Sequence, residues 1–382
     1  MKYRKLGRTG ADVSVIGLGG EYLEHAPREV ITSVVDEVIA NGVNYIDLYM
    51  GSPDVRDNFG IALQGRRQKV MIAGHLGATI KDGQYHKSRD KKICEGYLHD
   101  LLRRLRSDYI DVFMLHFVDD PNDYERVFDL EGFLGIALRF KKEGKARFIG
   151  LSGHNVPTAL KTVKSGYVDI LMFPVNPAFD LLPGDIDVEE LRKEESYYRT
   201  KSAGDESVPH RKELYHTCAR ENVGIVAMKP YAAGLLFTRG NPSSIVLTPV
   251  QCINYALSQP AVCTVVPGCK NTQEMKEALH FLEATEEEKD YSTIDINSFW
   301  KLRGSCVYCN HCLPCPANID IGMLTRITDT ARYGGGHGIF SEYEALAVKA
   351  SACTYCKACI KRCPFGVDVI ANMAQATGIF GK

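Results

Sequence analysis

The sequence predicts an α/β protein in which a (β/α)8 TIM barrel is followed by a small, mainly helical module rich in cysteine. Two observations over the 382 residues support this prediction. Short β-branched runs alternate with helix-like segments through most of the chain, and eight of the 13 cysteines lie between Cys306 and Cys363. The alternation has the length and rhythm of a barrel, which typically takes about 250 residues.

The predicted strands are the β-branched apolar runs at residues 13–17, 43–47, 69–73, 109–116, 147–152, 168–173, 223–228 and 262–266. Helices are predicted where apolar residues recur at i, i+3 and i+4, for example at residues 30–39, 91–105, 133–142 and 249–257. A doubly wound sheet is the alternative, but it requires a Gly-x-Gly-x-x-Gly turn after the first strand. Gly17-Leu18-Gly19-Gly20 lacks that spacing. We therefore expect a barrel over residues 1–285 and a second domain over residues 286–382.

Composition excludes several kinds of partner. The formal net charge is -1, so the chain is not expected to bind nucleic acid through bulk charge. No apolar run reaches the roughly 18 residues that a membrane span needs. The first 14 residues also lack the apolar segment of a signal peptide. The sequence thus predicts a cytoplasmic protein that binds neither nucleic acid nor membrane.

Two cysteine motifs define the tail, namely Cys306-x2-Cys309-x2-Cys312-x2-Cys315-Pro and Cys353-x2-Cys356-x2-Cys359-x3-Cys363-Pro. Three thiolates at x2 spacing wrap one face of an iron–sulfur cube, and the cysteine before proline ligates the other cluster in two-cluster ferredoxins. The spacing predicts two [4Fe–4S] clusters with crossed ligands. One cluster is expected on Cys306, Cys309, Cys312 and Cys363, and the other on Cys315, Cys353, Cys356 and Cys359.

Zinc is the alternative for these thiolates, but structural zinc sites use separate Cys-x2-Cys pairs and not unbroken triplets followed by Cys-Pro. His311 lies inside the first motif, either as a substitute ligand or as a solvated loop residue. Helix-like stretches around residues 321–330 and 342–349 separate the two motifs. They favour a helical ferredoxin-like module over the compact β-hairpin type.

Polar residues cluster at the predicted carboxyl ends of the barrel strands, where barrel enzymes place their chemistry. They are Asp47, His75, His116, Ser152, His154, Asn176 and Lys229, with Gly268 after the last strand. A single histidine at a strand end is usually structural. The rim, however, carries three histidines, an aspartate and a lysine. Each of them needs a partner when it is removed from water, so together they indicate an active site.

The barrel resembles the aldo/keto reductase family. Similar segments are Tyr3-Arg4-Lys5-Leu6-Gly7-Arg8-Thr9-Gly10, the region from Asp47 to Gly60-Ile61-Ala62-Leu63, and residues 109–116 with their terminal histidine. Ile149-Gly150-Leu151-Ser152, Ala227-Met228-Lys229-Pro230 and Pro267-Gly268 fit the later strands. The whole chain resembles the subfamily with a ferredoxin-like C-terminal domain.

The resemblance implies reduction of a carbonyl by NAD(P)H, with a catalytic aspartate, tyrosine, lysine and histidine. Asp47 and His116 match this set, whereas Ser52 stands at the tyrosine position and Ala73-Gly74-His75 where the lysine belongs. A histidine protonates a developing alkoxide near neutral pH, which a serine does not. We therefore expect His75, oriented by Asp47, and His116 to act as acid–base groups. Tyr49 either replaces the missing phenol or forms a wall of the substrate site.

The cofactor side of the resemblance is incomplete. Met172 and Met228 stand where the family places a glutamine and an aromatic residue against nicotinamide, while Ser152 and Asn176 remain. Gly268, Lys270 and Asn271 precede a helix whose N-terminus suits a phosphate, and Lys229 suits a phosphate or a carboxylate. Glu274 replaces the arginine typical of NADP-preferring members, so NAD is favoured over NADP if nicotinamide binds. The sequence carries no flavin motif.

Three functions remain open at this point. The first is a redox enzyme whose small organic substrate binds at the barrel mouth and receives electrons through the clusters, with a ferredoxin or another carrier as partner. The second is a lyase, dehydratase or epimerase that uses His75, His116 and Asp47 for acid–base chemistry. The third is an electron-transfer subunit whose barrel docks a partner. The charged stretch at residues 182–210 is either a lid or a plain insertion.

Overall fold

A computed structural model describes residues 1–180, 211–237, 239, 246–291, 306, 310, 312–332, 339–363 and 366–381. The stretch at residues 182–210, Cys309 and His311 lie outside the described residues. In the part of the chain that is described, no helix is both long and apolar enough to cross a membrane.

The barrel is a parallel sheet that closes on itself. Its described strands, in spatial order, are β12 (Val262–Val266), β11 (Gly224–Met228), β10 (Ile170–Pro174), β9 (Ala146–Ser152), β8 (Ile110–Leu115), β5 (Met71–Leu76), β4 (Tyr45–Leu48) and β3 (Leu18–Gly19). Parallel bridges from Ile16 to Val265 and from Gly19 to Gly268 join the first strand to the last. The predicted (β/α)8 barrel is therefore confirmed.

The prediction for residues 13–17 was wrong, because this run divides between two structures. β2 (Asp12–Ser14) pairs antiparallel with β1 (Tyr3–Lys5) in an N-terminal hairpin, whereas the barrel pairing starts at the Ile16 bridge and continues in β3. Leu6 and Val13 of the hairpin region are buried in the apolar cluster that fills the barrel interior. The hairpin thus covers the amino-terminal end of the barrel and leaves the carboxyl end for the site.

Helices pack around the sheet at Arg28–Ala40, Pro53–Ala62, Lys91–Leu105, Pro121–Phe128, Phe133–Lys142, Val156–Lys164, Pro177–Asp180, Arg211–Arg220, Pro249–Ser258, Thr272–Leu279 and Glu286–Lys289. All four helices given as examples from the sequence are present. Their starts follow local chemistry: the Asp90 carboxylate accepts from the Ile93 amide, and Thr248 forms a capping box with Gln251. Apolar side chains of the helices and of the outer sheet face form one large core.

A second hairpin follows β5 and was missed from the sequence. Its strands are β6 (Ala78–Lys81) and β7 (Gln84–Lys87), paired antiparallel through the turn Asp82-Gly83. Both turn residues have positive φ, 53° and 76°, as the two-residue turn preferred in hairpins requires. This hairpin stands at the carboxyl end of the barrel, beside the polar rim.

The tail contains helices at Ile321–Arg332, Ile339–Ala345, Ala358–Arg362 and Val369–Phe380. The predicted helix at residues 342–349 begins and ends earlier than expected, at Ile339–Ala345. One apolar cluster joins the tail to the barrel, because Leu313, Ile319 and Met373 share it with Leu236 and Tyr85. The cysteine motifs therefore lie on a body that packs against the barrel.

Candidate active site

The polar rim encloses a cavity of about 280 Å³, near the lower end of the usual range for ligand sites, about 300–1,000 Å³. Strand ends supply much of its lining: Gly19, Asp47, His75, Ser152, Met172, Met228, Val266 and, just beyond the strands, His116 and Gly268. Tyr49, His154 and Lys229 complete the set of predicted rim residues that face it. The structure thus brings most of the predicted site together in one place.

Strand register aligns the acid–base residues on one inner face. Asp47 of β4 pairs with Ala73 of β5, and His75 of β5 pairs with Met114 of β8. Since residues two apart on a strand point to the same face, His75 lies one step beyond Asp47 and His116 one step beyond His75. All three side chains are almost fully buried.

These residues form a hydrogen-bonded chain. His75 Nε2 lies 2.8 Å from Asp47 Oδ1, and His75 Nδ1 lies 2.9 Å from His116 Nδ1. On the far side of His116, its Nε2 lies 2.7 Å from the hydroxyl oxygen of Tyr85. Tyr85 belongs to the unpredicted hairpin and does not line the cavity, so only the structure reveals it as the fourth member.

The direction of donation follows from the chemistry of the groups. An ionised carboxylate only accepts, so His75 donates its Nε2 proton to Asp47 and, when neutral, accepts at Nδ1. His116 then donates from Nδ1 to His75 and accepts the Tyr85 hydroxyl proton at Nε2. Burial, and after it the neighbouring His75, hold the pKa of His116 well below its usual value, which keeps His116 neutral in this chain.

Tyr49 forms a wall beside the histidines. Its ring stacks on His116 with 5.6 Å between ring centroids, and its hydroxyl donates to Glu21 Oε1 at 3.1 Å. Burial raises the pKa of Glu21, which the nearby charge of Lys229 opposes. Ser52 precedes the helix Pro53–Ala62, donates its hydroxyl to Glu24 and does not line the cavity. Ser52, at the position of the family's tyrosine, therefore bonds to Glu24 and does not reach the cavity.

Comparison with known proteins identifies the barrel. The profile described as "Aldo/keto reductase family" matches residues 15–200, a span that contains Asp47, His75, His116 and the second hairpin. Over these residues the barrel is similar to the aldo/keto reductase family. The resemblance drawn from the sequence is thereby confirmed at the level of the family, and the chain is an oxidoreductase of the aldo/keto reductase type.

The individual relatives of the chain are distant. YqkF of Bacillus subtilis, described as an uncharacterized oxidoreductase, is 27% identical in an alignment of length 314 that covers 75% of this chain and 94% of YqkF. L-galactose dehydrogenase of Arabidopsis thaliana is 25% identical in an alignment of length 260 that covers 63% of this chain and 69% of that enzyme. Methylglyoxal reductase DkgB of Escherichia coli O157:H7 is 38% identical over 151 residues, 40% of this chain and 52% of that enzyme.

A solved structure shares the fold. The holo form of an aldo-keto reductase from Bacillus halodurans superposes with a TM-score of 0.57 at 24% identity, covering 76% of this chain and 94% of that protein. The similarity shows the barrel architecture. The cysteine motifs lie beyond the residues that the family profile matches.

A further histidine, paired with a carboxylate, lies on the cavity wall. His154 Nδ1 is 2.8 Å from Asp119 Oδ2, and the His154 amide donates to the other oxygen of the same carboxylate. Burial lowers the pKa of His154, and the Asp119 carboxylate opposes that shift. This dyad fixes the ring orientation of His154 toward the cavity.

The residues predicted to hold a cofactor divide into two groups. Ser152, Lys229, Gly268 and Lys270 face the cavity. Asn176 and Asn271 do not line it, because each bonds to nearby main chain. The Asn176 amide donates to the Lys229 carbonyl at 2.9 Å, and Asn271 accepts from the Glu274 amide at 2.9 Å.

Four of the described tail cysteines lie around one cavity. Cys315 of the first motif and Cys353, Cys356 and Cys359 of the second line one apolar cavity. Arg362 donates to the Cys312 and Pro314 carbonyls at 2.9 and 2.7 Å, which ties the second motif to the first.

Among the described residues, no group of three or more His, Cys, Asp or Glu side chains is placed to hold a metal ion. Thiolates around a four-iron cube stand farther apart than the ligands of one ion, and Cys309 is outside the described residues. The clusters stay a prediction.

The five barrel cysteines are buried, namely Cys94, Cys218, Cys252, Cys263 and Cys269. Burial raises the pKa of Cys218 and of Cys269 to about 12. Inert thiols of this kind are structural.

Proposed function

We propose that the chain is an iron–sulfur oxidoreductase that acts on a small carbonyl or hydroxy compound at the barrel mouth and exchanges electrons through two [4Fe–4S] clusters in the tail. The observation that supports it most is the hydrogen-bonded chain from Asp47 through His75 to His116 at the cavity. These hydrogen-bonded side chains replace the tyrosine and lysine that the family uses for proton transfer. Small carbonyl or hydroxy substrates also agree with the names of the relatives from Arabidopsis thaliana and Escherichia coli.

The histidine pair supplies the acid–base group. The 2.9 Å contact between the two Nδ1 atoms has room for one proton, so the pair holds that proton at the cavity and cannot carry a proton on both atoms. A substrate oxygen placed there replaces the His75 nitrogen as the acceptor of that proton and receives it during reduction, or gives one up during oxidation. Asp47 fixes the His75 tautomer, as a carboxylate does for a catalytic imidazole. Lys229 and Lys270 at the cavity suit an anionic or polar substituent of the substrate.

The tail residues fit an iron–sulfur cluster. Four cysteines from two motifs face one apolar cavity, and thiolates in apolar surroundings are the ligands that such clusters use. When bound, each cluster carries single electrons between a carrier protein and the barrel. Cys356 is exposed, whereas Cys315, Cys353 and Cys359 are partly buried, so a ferredoxin or another carrier has access at Cys356.

A nicotinamide dinucleotide fits less well, although aldo/keto reductases typically bind NAD(P). At the start of the helix Thr272–Leu279, the Glu274 amide already donates to Asn271 at 2.9 Å, and the Glu274 carboxylate accepts from the Lys270 amide just before the helix at 2.8 Å. A phosphate at this helix start would meet that negative charge. The ring of Tyr22 packs so closely on Gly268 that a Cβ there would lie 2.3 Å from it. We therefore assign no step to NAD(P).

The experiment is donor-dependent turnover by the holoenzyme reconstituted under anaerobic conditions. Methylglyoxal is the carbonyl probe, with reduced methyl viologen, NADH or NADPH as donor. L-galactose with oxidised viologen tests the opposite direction. The proposal expects two [4Fe–4S] clusters per chain and viologen-dependent turnover that His75→Asn abolishes. Stoichiometric zinc without iron, or turnover driven by NADH or NADPH alone, contradicts it.

A further inference from the structure

Tyr85 holds a position that the proposed chemistry does not yet use. Its side chain is 8% exposed, and its hydroxyl lies 2.7 Å from Nε2 of His116, on the side opposite His75. The hairpin that carries it is fixed, because the Tyr97 hydroxyl donates to the Ile80 carbonyl at 3.0 Å and Ile80 pairs with Tyr85. A phenol is thus held against the rear nitrogen of a buried histidine.

The same hairpin is bound to the tail. Gln84, the residue before Tyr85, accepts from the Cys315 amide at 2.9 Å and donates to the Cys315 carbonyl at 3.1 Å. It also donates to Asn318 Oδ1 at 2.5 Å. Adjacent residues of β7 therefore contact the tail and the His116 ring. The position of Tyr85 depends on the packing of the tail against the barrel.

A neutral His116 needs a proton source at Nε2. If its Nδ1 proton passes to a substrate oxygen and nothing replaces it, the product is an imidazolate, which is far too basic to form at a useful rate. Protonating His116 beforehand is disfavoured, since it is buried and faces His75, Lys87, Arg89 and His154. Tyr49 stacks on its face and directs its hydroxyl to Glu21. The Tyr85 hydroxyl, by contrast, lies at Nε2 of His116, 2.7 Å away.

We propose that Tyr85 replaces the proton of His116 in the same step in which His116 protonates the substrate; this inference rests on the proposed function. The His116 Nδ1–H bond breaks as the substrate O–H bond forms, and the Tyr85 O–H bond breaks as the His116 Nε2–H bond forms. His116 stays neutral and exchanges one tautomer for the other. The Tyr85 phenolate then regains a proton that originates from water. Oxidation of a hydroxy substrate runs through the same bonds in reverse.

Tyr85 is a positioning and relay residue, since it acts through His116 and not on the substrate. An ordinary phenol has a pKa of about 10, between those of an imidazolium and an alkoxide, so a phenol suits a relay. General acid–base contributions are typically about 10²–10⁴-fold. Losing the phenol while His116 remains is expected to cost the lower part of that range.

The test is Tyr85→Phe in the reconstituted holoenzyme, assayed with methylglyoxal and reduced methyl viologen from acid to alkaline pH. The expected result is an unchanged KM and a kcat lowered about 10²-fold at neutral pH. The loss shrinks toward acid pH, because a proton from solvent then charges the histidine pair directly. Tyr97→Phe is the matched control: it removes a phenol that anchors the same hairpin without contacting His116, and we expect it to keep the wild-type pH profile.

Two results would overturn the relay. The first is a kcat of Tyr85→Phe that equals that of the wild type at every pH. The second is a kcat of Tyr85→Phe that is lowered by the same factor at every pH, with the same loss in Tyr97→Phe. A measurement without substrate separates this outcome from failure of the proposed function. In the oxidised enzyme, the ¹⁵N resonance of His116 Nε2 should shift on Tyr85→Phe, as expected for the loss of a hydrogen bond. If the resonance shifts but the wild type shows no viologen-dependent turnover, the Tyr85–His116 contact is real. The proposed function, and with it the role of the relay in that function, is then rejected.

Discussion

The barrel mouth and the cysteine tail place their functional groups in opposite ways. In the tail, the cysteines that line one cavity come mostly from one short motif, Cys353 to Cys359, with Cys315 added from the other. At the barrel mouth, Asp47, His75 and His116 come from three strands and meet only because the sheet register aligns them. A motif therefore predicts the first site, whereas the second depends on the fold. The hairpin at Gln84 and Tyr85 contacts both regions.

The largest expected effect tests the crossed ligation of the tail. Cys315→Ser should remove one of two clusters per chain, and Cys353→Ser should remove the same one, so the double variant loses no further iron. Iron and sulfide content with electron paramagnetic resonance measures this. Cys263→Ser, at a buried barrel cysteine, is the control and should keep both clusters. If Cys315→Ser and Cys306→Ser instead deplete the same cluster, the ligands are not crossed.

The next effect tests the barrel mouth. His116→Gln keeps a polar side chain but removes the proton that the pair shares, and we expect kcat to fall about 10²–10⁴-fold with both clusters intact. Ser52→Ala should leave kcat close to wild type, because Ser52 bonds to Glu24 outside the cavity. The opposite result would be a severe loss of kcat in Ser52→Ala and an active His116→Gln enzyme. It would indicate that the proton donor lies at Ser52, where the family carries its tyrosine.

A smaller effect tests the link between the two regions. Gln84→Ala removes three hydrogen bonds to the tail, each worth about 0.5–1.5 kcal/mol of stability. We expect a lower midpoint of urea unfolding, with the tail becoming accessible to protease before the barrel. Lys81→Ala, at an exposed position of the same hairpin, serves as control. Equal protease resistance of Gln84→Ala and wild type would show that the contact is dispensable.

The smallest effect is the pH dependence of stability. Burial lowers the pKa of His116 and of His154 in the folded protein, so the unfolded chain binds protons that the folded chain does not. The free energy of unfolding should therefore decrease as the pH falls below about 6.5, the unperturbed histidine value. Urea titrations between neutral and acid pH measure the slope, which His116→Gln should reduce. A slope that is unchanged in this variant would contradict the assignment.

The sequence predicted the strand ends well and the hairpin not at all. Asp47, His75 and His116 were identifiable because they follow β-branched runs, and the ends of parallel strands meet at one rim. Tyr85 lies in a polar stretch with only Asp82-Gly83 as a hairpin signal, and nothing in the stretch indicates that its ring reaches His116. Asn176 shows the converse, because its place at a strand end suggested a ligand while its amide bonds to the Lys229 carbonyl.

The measurement that tests the central claim most directly is the redox state of the tail during a single turnover. Reconstituted enzyme with reduced clusters is mixed with methylglyoxal under anaerobic conditions, and cluster absorbance is followed against product alcohol. The account predicts reoxidation of the clusters with one alcohol formed for every two electrons lost, and strong slowing by His116→Gln. Clusters that stay reduced while NADH or NADPH alone drives product formation would contradict it.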